Sequence, residues 1–170
     1  MRLVQPSTGP KLGSIRQIHF IDIDNLTAGP TTDLRSHRIV RQWYTACTNM
    51  HDDDLCFVAC SHHSGFAVAT VWSDAKVYWR SGENGADYAL LDAISETNFE
   101  GVNQVWVASG DGIFIPGIEA LHAMRTGPEQ IDVSVLALDD SMVHGTLPLA
   151  ADQVATIAAA YGSNMLGLAS

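Results

Sequence analysis

The sequence predicts a three-layer, doubly wound α/β protein built on a mainly parallel sheet of about five strands. Three observations lead there. Short, almost continuous apolar runs recur along the chain, each followed by a segment of helical length. Strands apolar along their whole length belong to sheets covered on both faces, and the alternation with helices supplies that cover. A chain of 170 residues is long enough for one domain with a real core, and no internal repeat or low-complexity tract interrupts it.

The elements follow in order. Residues 1–14, MRLVQPSTGPKLGS, are rich in Pro, Gly and Ser and read as a flexible leader; lacking an apolar h-region, they are not expected to be a signal peptide. A single domain is expected over 15–170. It opens with a strand at 15–24 (IRQIHFIDID) and a helix at about 32–48. The apolar run LCFVAC makes a second strand at 55–60, followed by a short helix at 64–73. KVYWR makes a third strand at 76–80, and the turn SGENG leads into a helix at 86–96. QVWVA is a strand at 104–108, a helix follows at about 115–125, and IDVSVLAL is a strand at 131–138. After a polar Gly/Pro loop, an alanine-rich helix is expected at 150–161, capped by Gly162.

Charge and cysteine content narrow the function. A net charge of −10 argues against holding nucleic acid by bulk electrostatics. It leaves room for a nucleic-acid enzyme, because carboxylates gathered around a divalent cation make a site acidic and the ion reverses the local field. The three cysteines, Cys47, Cys56 and Cys60, form no CxxC pair and read as small buried hydrophobes of a reducing cytoplasm. No apolar run has the length to span a bilayer, so no membrane partner is expected.

In a doubly wound sheet the ligand site lies beyond the carboxyl ends of the strands, where strand order reverses. The first strand ends in Asp22-Ile23-Asp24-Asn25 and the second in Ser61-His62-His63-Ser64. The third leads through Ser81-Gly82-Glu83-Asn84-Gly85 to Asp87, and the fourth ends in Ser109-Gly110-Asp111-Gly112. Singly, Asp87 reads as a helix cap and Asp111 as a turn residue. Jointly, Asp22, Asp87 and Asp111 point to a crevice holding Mg²⁺ or Mn²⁺, which take oxygen ligands and keep several waters.

These motifs resemble those of the NYN domain family, metal-dependent ribonucleases of the PIN-like, Rossmannoid superfold. HFIDIDNL resembles the family's opening strand, with Asp22 followed three residues later by Asn25. NGADYALLDAI resembles its central motif, and VWVASGDGIFIPGIEAL is similar to its third, a strand ending Ser-Gly-Asp before Phe, an apolar residue and Pro. The resemblance runs from about 18 to 140. It implies catalytic roles for Asp22, Asn25, Asp87 and Asp111, with RNA as substrate and a divalent ion held by Asp22, Asp87 and Asp111. Ile113 stands where the family has a further aspartate. Asp92 stands one residue nearer Asp87 than the family pattern, a rotation of about 100° on a helix. Asp24 and Asp92 are therefore supplementary metal ligands only. The loss at 113 also admits a degenerate domain that binds RNA or protein without cutting.

A second resemblance is to haloacid dehalogenase-like phosphatases. DIDNL resembles their opening, with Asp22 as nucleophile and Asp24 as general acid, and GDG at 110–112 their metal motif. Leu26 stands where they have threonine, and no acid follows GDG in IFIP.

Other features admit two readings each. Arg35, Arg38 and Arg41 recur every three residues and either track an RNA backbone or line a solvated helix face. His62 and His63 read as exposed turn residues, and Glu83 and Asn84 as turn formers or substrate contacts. Trp43, Trp72, Trp79 and Trp106 are expected mostly in packing. The chain has no GxxxxGK[ST], GxGxxG or GxSxG. The apolar face of the C-terminal stretch either closes over the sheet, the default, or pairs with a second copy as a homodimer. Crowded carboxylates without metal should have raised pKa values, so activity should fall in acid.

Overall fold

The computed structural model describes residues 17–124 and 131–158. Its centre is β1 (Gln17–Asp22), every residue of which is buried. The chain continues through a single turn α1 (Ile23–Leu26), α2 (Leu34–Thr48), β2 (Leu55–Cys60), α3 (Gly65–Val71) and β3 (Lys76–Trp79). It then runs through α4 (Gly85–Glu96), β4 (Gln104–Ala108), a 3-10 turn at Gly112–Phe114, α5 (Ile115–Ala123) and β5 (Asp132–Ala137). A second 3-10 turn at Asp140–Met142, α6 (Leu147–Ala150) and β6 (Gln153–Thr156) complete the described elements.

The six strands lie in the order β3-β2-β1-β4-β5-β6, and each neighbouring pair is parallel. Side chains alternate across the pleat, so one strand feeds two cores. Ile18 and Phe20 pack with Phe57, Val105 and Val133 beneath Leu90 of α4 and Ile118 of α5. Ile21 packs with Val58, Cys60 and Leu136 beneath Val40 and Tyr44 of α2 and Val68 of α3. Three layers result. The chain winds outward from β1 to β3, then returns through α4 to β4 on the other side of β1. Because parallel crossovers are right-handed, that reversal puts the helices of the two halves on opposite faces. It also sets the switch point, where sheets of this kind take their ligands, between the carboxyl ends of β1 and β4.

The local chemistry explains the element ends. Asp33 caps α2, accepting from the backbone N–H of Arg35 at 3.1 Å and of Ser36 at 3.0 Å. Asn49 closes that helix in the left-handed region, where Asn is tolerated. The first strand stops at Asp22, two residues short of the expected 24, because Asp22 caps α1 by accepting from the Asn25 N–H at 3.3 Å.

The sheet corrects two expectations. It has six strands, and within the segment expected as a helix over 150–161, Gln153–Thr156 form strand β6, with helical backbone resuming at 157–158. Alanine favours helix by a few tenths of a kcal/mol per residue. The open edge of β5 offers a full ladder instead, pairing Ser134–Ala137 with Gln153–Thr156. Asp152 starts the ladder by exchanging with the Val133 backbone, its carboxylate accepting at 2.8 Å and its N–H donating at 2.9 Å. Residues 159–161, the Gly162 cap and the 1–14 leader lie outside the described residues. Among the described residues, no helix is long and apolar enough to cross a membrane.

Candidate active site

Asp22 closes β1 at the point where strand order reverses, and it is 6% exposed. Its carboxylate accepts from the Asn25 N–H and, more distantly, from the Ser109 hydroxyl at 3.5 Å. Asp87 comes from the first turn of α4, reached by the chain's return crossing, and is 7% exposed. The two carboxyls are direct neighbours, and each perturbs the other. One oxygen of Asp87 is buried with no hydrogen-bond partner. Native structures leave few buried polar atoms unpaired.

The electrostatics follow from that burial. Asp22 is pushed well above the ordinary carboxylate value, first by desolvation and next by the Asp87 charge. Asp87 is raised too, first by desolvation and also by Asp111 and Asp24, while its hydrogen bond with Asp22 offsets part of the rise. Both acids are thus pushed up, by burial first and then by the charge of neighbouring acids.

The β4 ending is built around this pair. Asn25 accepts the Gly110 N–H through its side-chain oxygen at 3.2 Å, joining the end of β1 to the end of β4. The Ser109 hydroxyl accepts the Asp111 N–H at 3.2 Å. Asp111 lies exposed at the rim, accepting the Ile113 N–H at 3.0 Å, so it also forms the turn that its sequence suggests. Gly110 can only be glycine, because a Cβ there would collide with the Met142 carbonyl. Asp24 turns toward β2 instead. Its two oxygens accept from the Ser61 N–H at 2.7 Å and the Ser64 hydroxyl at 2.6 Å, tying the β2 ending to the β1 ending.

His144 is the residue that sequence reasoning missed. Its N–H donates to the Gly110 carbonyl at 2.8 Å, and its ring covers Gly112, where a Cβ would stand 2.7 Å from Cγ. Nδ1 lies 2.9 Å from the Thr146 hydroxyl and 3.5 Å from the Thr146 backbone nitrogen, so the ring is held by that turn. The signal was available: the strand-ending rule, applied to the loop after β5, reaches this residue.

Other candidates lie apart from the crevice. Asp92 faces solvent on α4, 3.1 Å from Arg80. Arg41 is committed to the Val71 carbonyl and to Asp74 at 2.6 Å, with its guanidinium over Trp72. Arg35 and Arg38 are exposed on the same helix. His62 and His63 are exposed with rings 4.1 Å apart, and Glu83 and Asn84 are exposed in the loop before α4. Trp43 and Trp72 are buried as expected, whereas Trp79 is 58% exposed. A groove of about 420 Å³ lined by Leu55, Lys76, Tyr78 and Glu96 opens at the opposite edge of the sheet.

For a divalent cation the fit is partial and specific. Asp22 and Asp87 offer facing carboxylates and a partnerless buried oxygen, an arrangement that a cation relieves. Among the described residues, no three His, Cys, Asp or Glu side chains form a group that could hold a metal by themselves. Mg²⁺ needs only one or two carboxylates, since it keeps several waters. The site thus has a two-carboxylate core with Asp111 outside it.

The fold and crevice define the class, a doubly wound α/β protein with an acidic site at its topological switch point. No protein-family model matches the chain, and no curated protein matches it in sequence. The chain is similar in structure to a protein of unknown function from Vibrio parahaemolyticus, with a TM-score of 0.57 and 17% identity over 84% of this chain and 92% of that one. That likeness shows the fold alone.

Proposed function

We propose that the chain is a metal-dependent ribonuclease that hydrolyses RNA phosphodiester bonds, as the NYN resemblance implies. The observation that supports this best is the buried Asp22–Asp87 pair, with its partnerless oxygen, at the switch point. In this reading Asp22 and Asp87 would hold Mg²⁺ or Mn²⁺, with Asp111 as a further acid at the rim of the site. When bound, such an ion lowers the pKa of a coordinated water and shields charge building on phosphate. Ser109 fixes the Asp22 carboxylate by donating to it, and Asn25 holds the Ser-Gly-Asp turn in register through Gly110. Asp24 braces the β2 loop. His144, whose ring covers Gly112 beside Asp111, would be the nearby imidazole available to a phosphate oxygen or leaving group. Three free cysteines, Cys47, Cys56 and Cys60, suit a reducing cytoplasm as the compartment.

A second reading, a degenerate domain that binds RNA or protein without cutting, rests on Ile113 and on the lack of a three-donor group among the described residues. Asp24 lends no support to a phosphatase, because both its oxygens are occupied by Ser61 and Ser64. End-labelled single-stranded RNA, incubated with Mn²⁺, Mg²⁺ or EDTA, tests the proposal. Cleavage that needs metal and disappears in Asp111→Asn supports the nuclease. Intact RNA with every metal and several sequences transfers the proposal to the binding domain.

A further inference from the structure

The groove of about 420 Å³ lies at the amino ends of β2 and β3, away from the acids at the carboxyl ends of the strands. Leu55 and Phe57 of β2, Tyr78 of β3 and Ala93 of α4 give it an apolar floor. Glu96 and Glu100, both exposed, stand on its rim at and just past the end of α4. Neither carboxylate makes an ion pair among the described residues. The cation on the rim, Lys76, sits 5.1 Å from the Phe57 ring instead. The loop entering β2 adds two more exposed acids, Asp52 and Asp53. An apolar floor rimmed mainly by acids suits an apolar segment that carries positive charge.

The chain itself contains such a segment. Residues 1–16 hold three of the nine Lys and Arg residues, Arg2, Lys11 and Arg16, and none of the 19 acids. Leu3, Val4, Leu12 and Ile15 are spaced among them. The segment enters the fold at Gln17, the first residue of β1, and β1 pairs with β2 so that Ile18 stands opposite Leu55. Neighbouring strands lie about 4.8 Å apart, so the near wall of the groove is one strand from the entry point and Lys76 of β3 is two. Five residues of extended chain span up to about 17 Å, which puts Leu12 within reach of the floor. The other parts of the chain outside the described residues start elsewhere. Residues 159–170 follow β6 at the far edge of the sheet. Residues 125–130 are tied to Met124 and Ile131, which line a separate hollow with Val102.

We propose that residues 1–16 fold back across the amino end of the sheet as an intramolecular arm, with Leu12 in the groove and Lys11 paired with Glu96 or Glu100. A segment already attached one strand away docks without the entropy loss of capturing a separate partner. Its positive charge then meets the acids that the groove leaves unpaired. The arm lies at the opposite end of the strands from Asp22 and Asp87, so its docking does not depend on what the crevice cleaves.

The test keeps the full chain. A carbodiimide, which joins an amine directly to a carboxylate in contact with it, should link Lys11 to Glu96 or Glu100 within the monomer, read by mass spectrometry of the digested product. Leu12→Ser should lower the yield of that link at least about 5-fold, because a buried leucine is lost from the docked arm. Limited trypsin digestion at low salt should cut after Lys11 about 5-fold faster in the double variant Glu96→Gln/Glu100→Gln than in wild type, since cutting tracks the undocked population. Both glutamates are exposed, so the double variant keeps its fold. No link from Lys11 to either glutamate overturns the proposal, as does cutting after Lys11 at one rate in wild type and the double variant. So does a link found only between two chains, since the groove would then hold the arm of a second copy.

Discussion

The two ends of β1 both bury titratable groups, and they treat them in opposite ways. Near the amino end, His19 is fully buried, with Nδ1 2.9 Å from the Tyr44 hydroxyl and Nε2 3.5 Å from Asp54. Asp54 is itself engaged by the backbone N–H groups of Gln17 and His51. Burial outweighs the Asp54 charge and lowers His19 to about 4, so it is neutral and satisfied. At the carboxyl end, Asp22 and Asp87 crowd together, both are pushed above the ordinary carboxylate value, and Asp87 leaves one oxygen unpartnered. One strand thus separates a polar network that serves packing from an acidic pair that opposes it. Burial of a charged group is not by itself a functional signal; two acids buried against each other at the switch point, one of them unsatisfied, point to one.

The contrast has a sign in pH. Neutral His19 contributes stability that is complete above its ordinary value of 6.5 and is lost as pH falls toward about 4. Asp22 and Asp87, raised above their ordinary 3.8, contribute stability that is complete below that value and is lost as pH rises through their folded values. Once both are ionised, the acidic pair weakens the fold unless a cation neutralises it.

The comparison breaks most visibly at the acidic end. Asp22→Asn and Asp87→Asn should each lower Mn²⁺-dependent RNA cleavage by more than about 100-fold, since even groups one step removed from a metal cost about 10–100-fold. In EDTA at pH 7.5 both variants should melt higher than wild type, by about 2–4 °C for each kcal/mol of relieved repulsion. Variants that lose activity and stability together would make the pair structural. At the other end, Tyr44→Phe leaves His19 Nδ1 without its partner and should cost about 1–3 kcal/mol in urea unfolding, with metal-dependent cleavage retained. Wild type should itself lose on the order of 3 kcal/mol of His19-linked stability between pH 6.5 and 4. A flat difference between wild type and His19→Gln across that interval would contradict the burial account.

Smaller changes sharpen the boundary of the site. Ser109→Ala removes a donor to Asp22 and should weaken Mn²⁺ binding about 10-fold by isothermal titration; unchanged affinity would detach Ser109 from the ion. Asp92→Asn should shift stability by less than about 0.5 kcal/mol, because its pair with Arg80 is exposed. Loss of metal dependence in Asp92→Asn would return that residue to the site.

Much of this was legible from residue order. The four strand endings located Asp22, Asp87 and Asp111 at one edge, and the apolar runs implied a sheet covered on both faces. The one-residue slip at Asp92 foretold its outward direction. Other roles were not legible. Asp24 and Asp22 stand two residues apart and look equivalent in sequence, but the turn of α1 between them sends Asp24 to Ser61 and Ser64. His144 reaches Gly112 only because the loop after β5 folds back over Gly110. Arg41 shares a helical period with Arg35 and Arg38, yet Asp74 and the Val71 carbonyl claim it.

Sequence by itself determined the alternation of strands and helices, the doubly covered sheet and the edge on which the acids gather, because apolar periodicity and turn chemistry are local properties. Tertiary structure decided which acids pair, which are spent on bracing loops, and that an alanine-rich tail should supply a sixth strand. Those outcomes depend on partners distant in the chain, such as the open edge of β5 for Gln153–Thr156 and the return of α4 for Asp87. Local propensity is worth tenths of a kcal/mol per residue, and a ladder of backbone hydrogen bonds or a buried charge outweighs it.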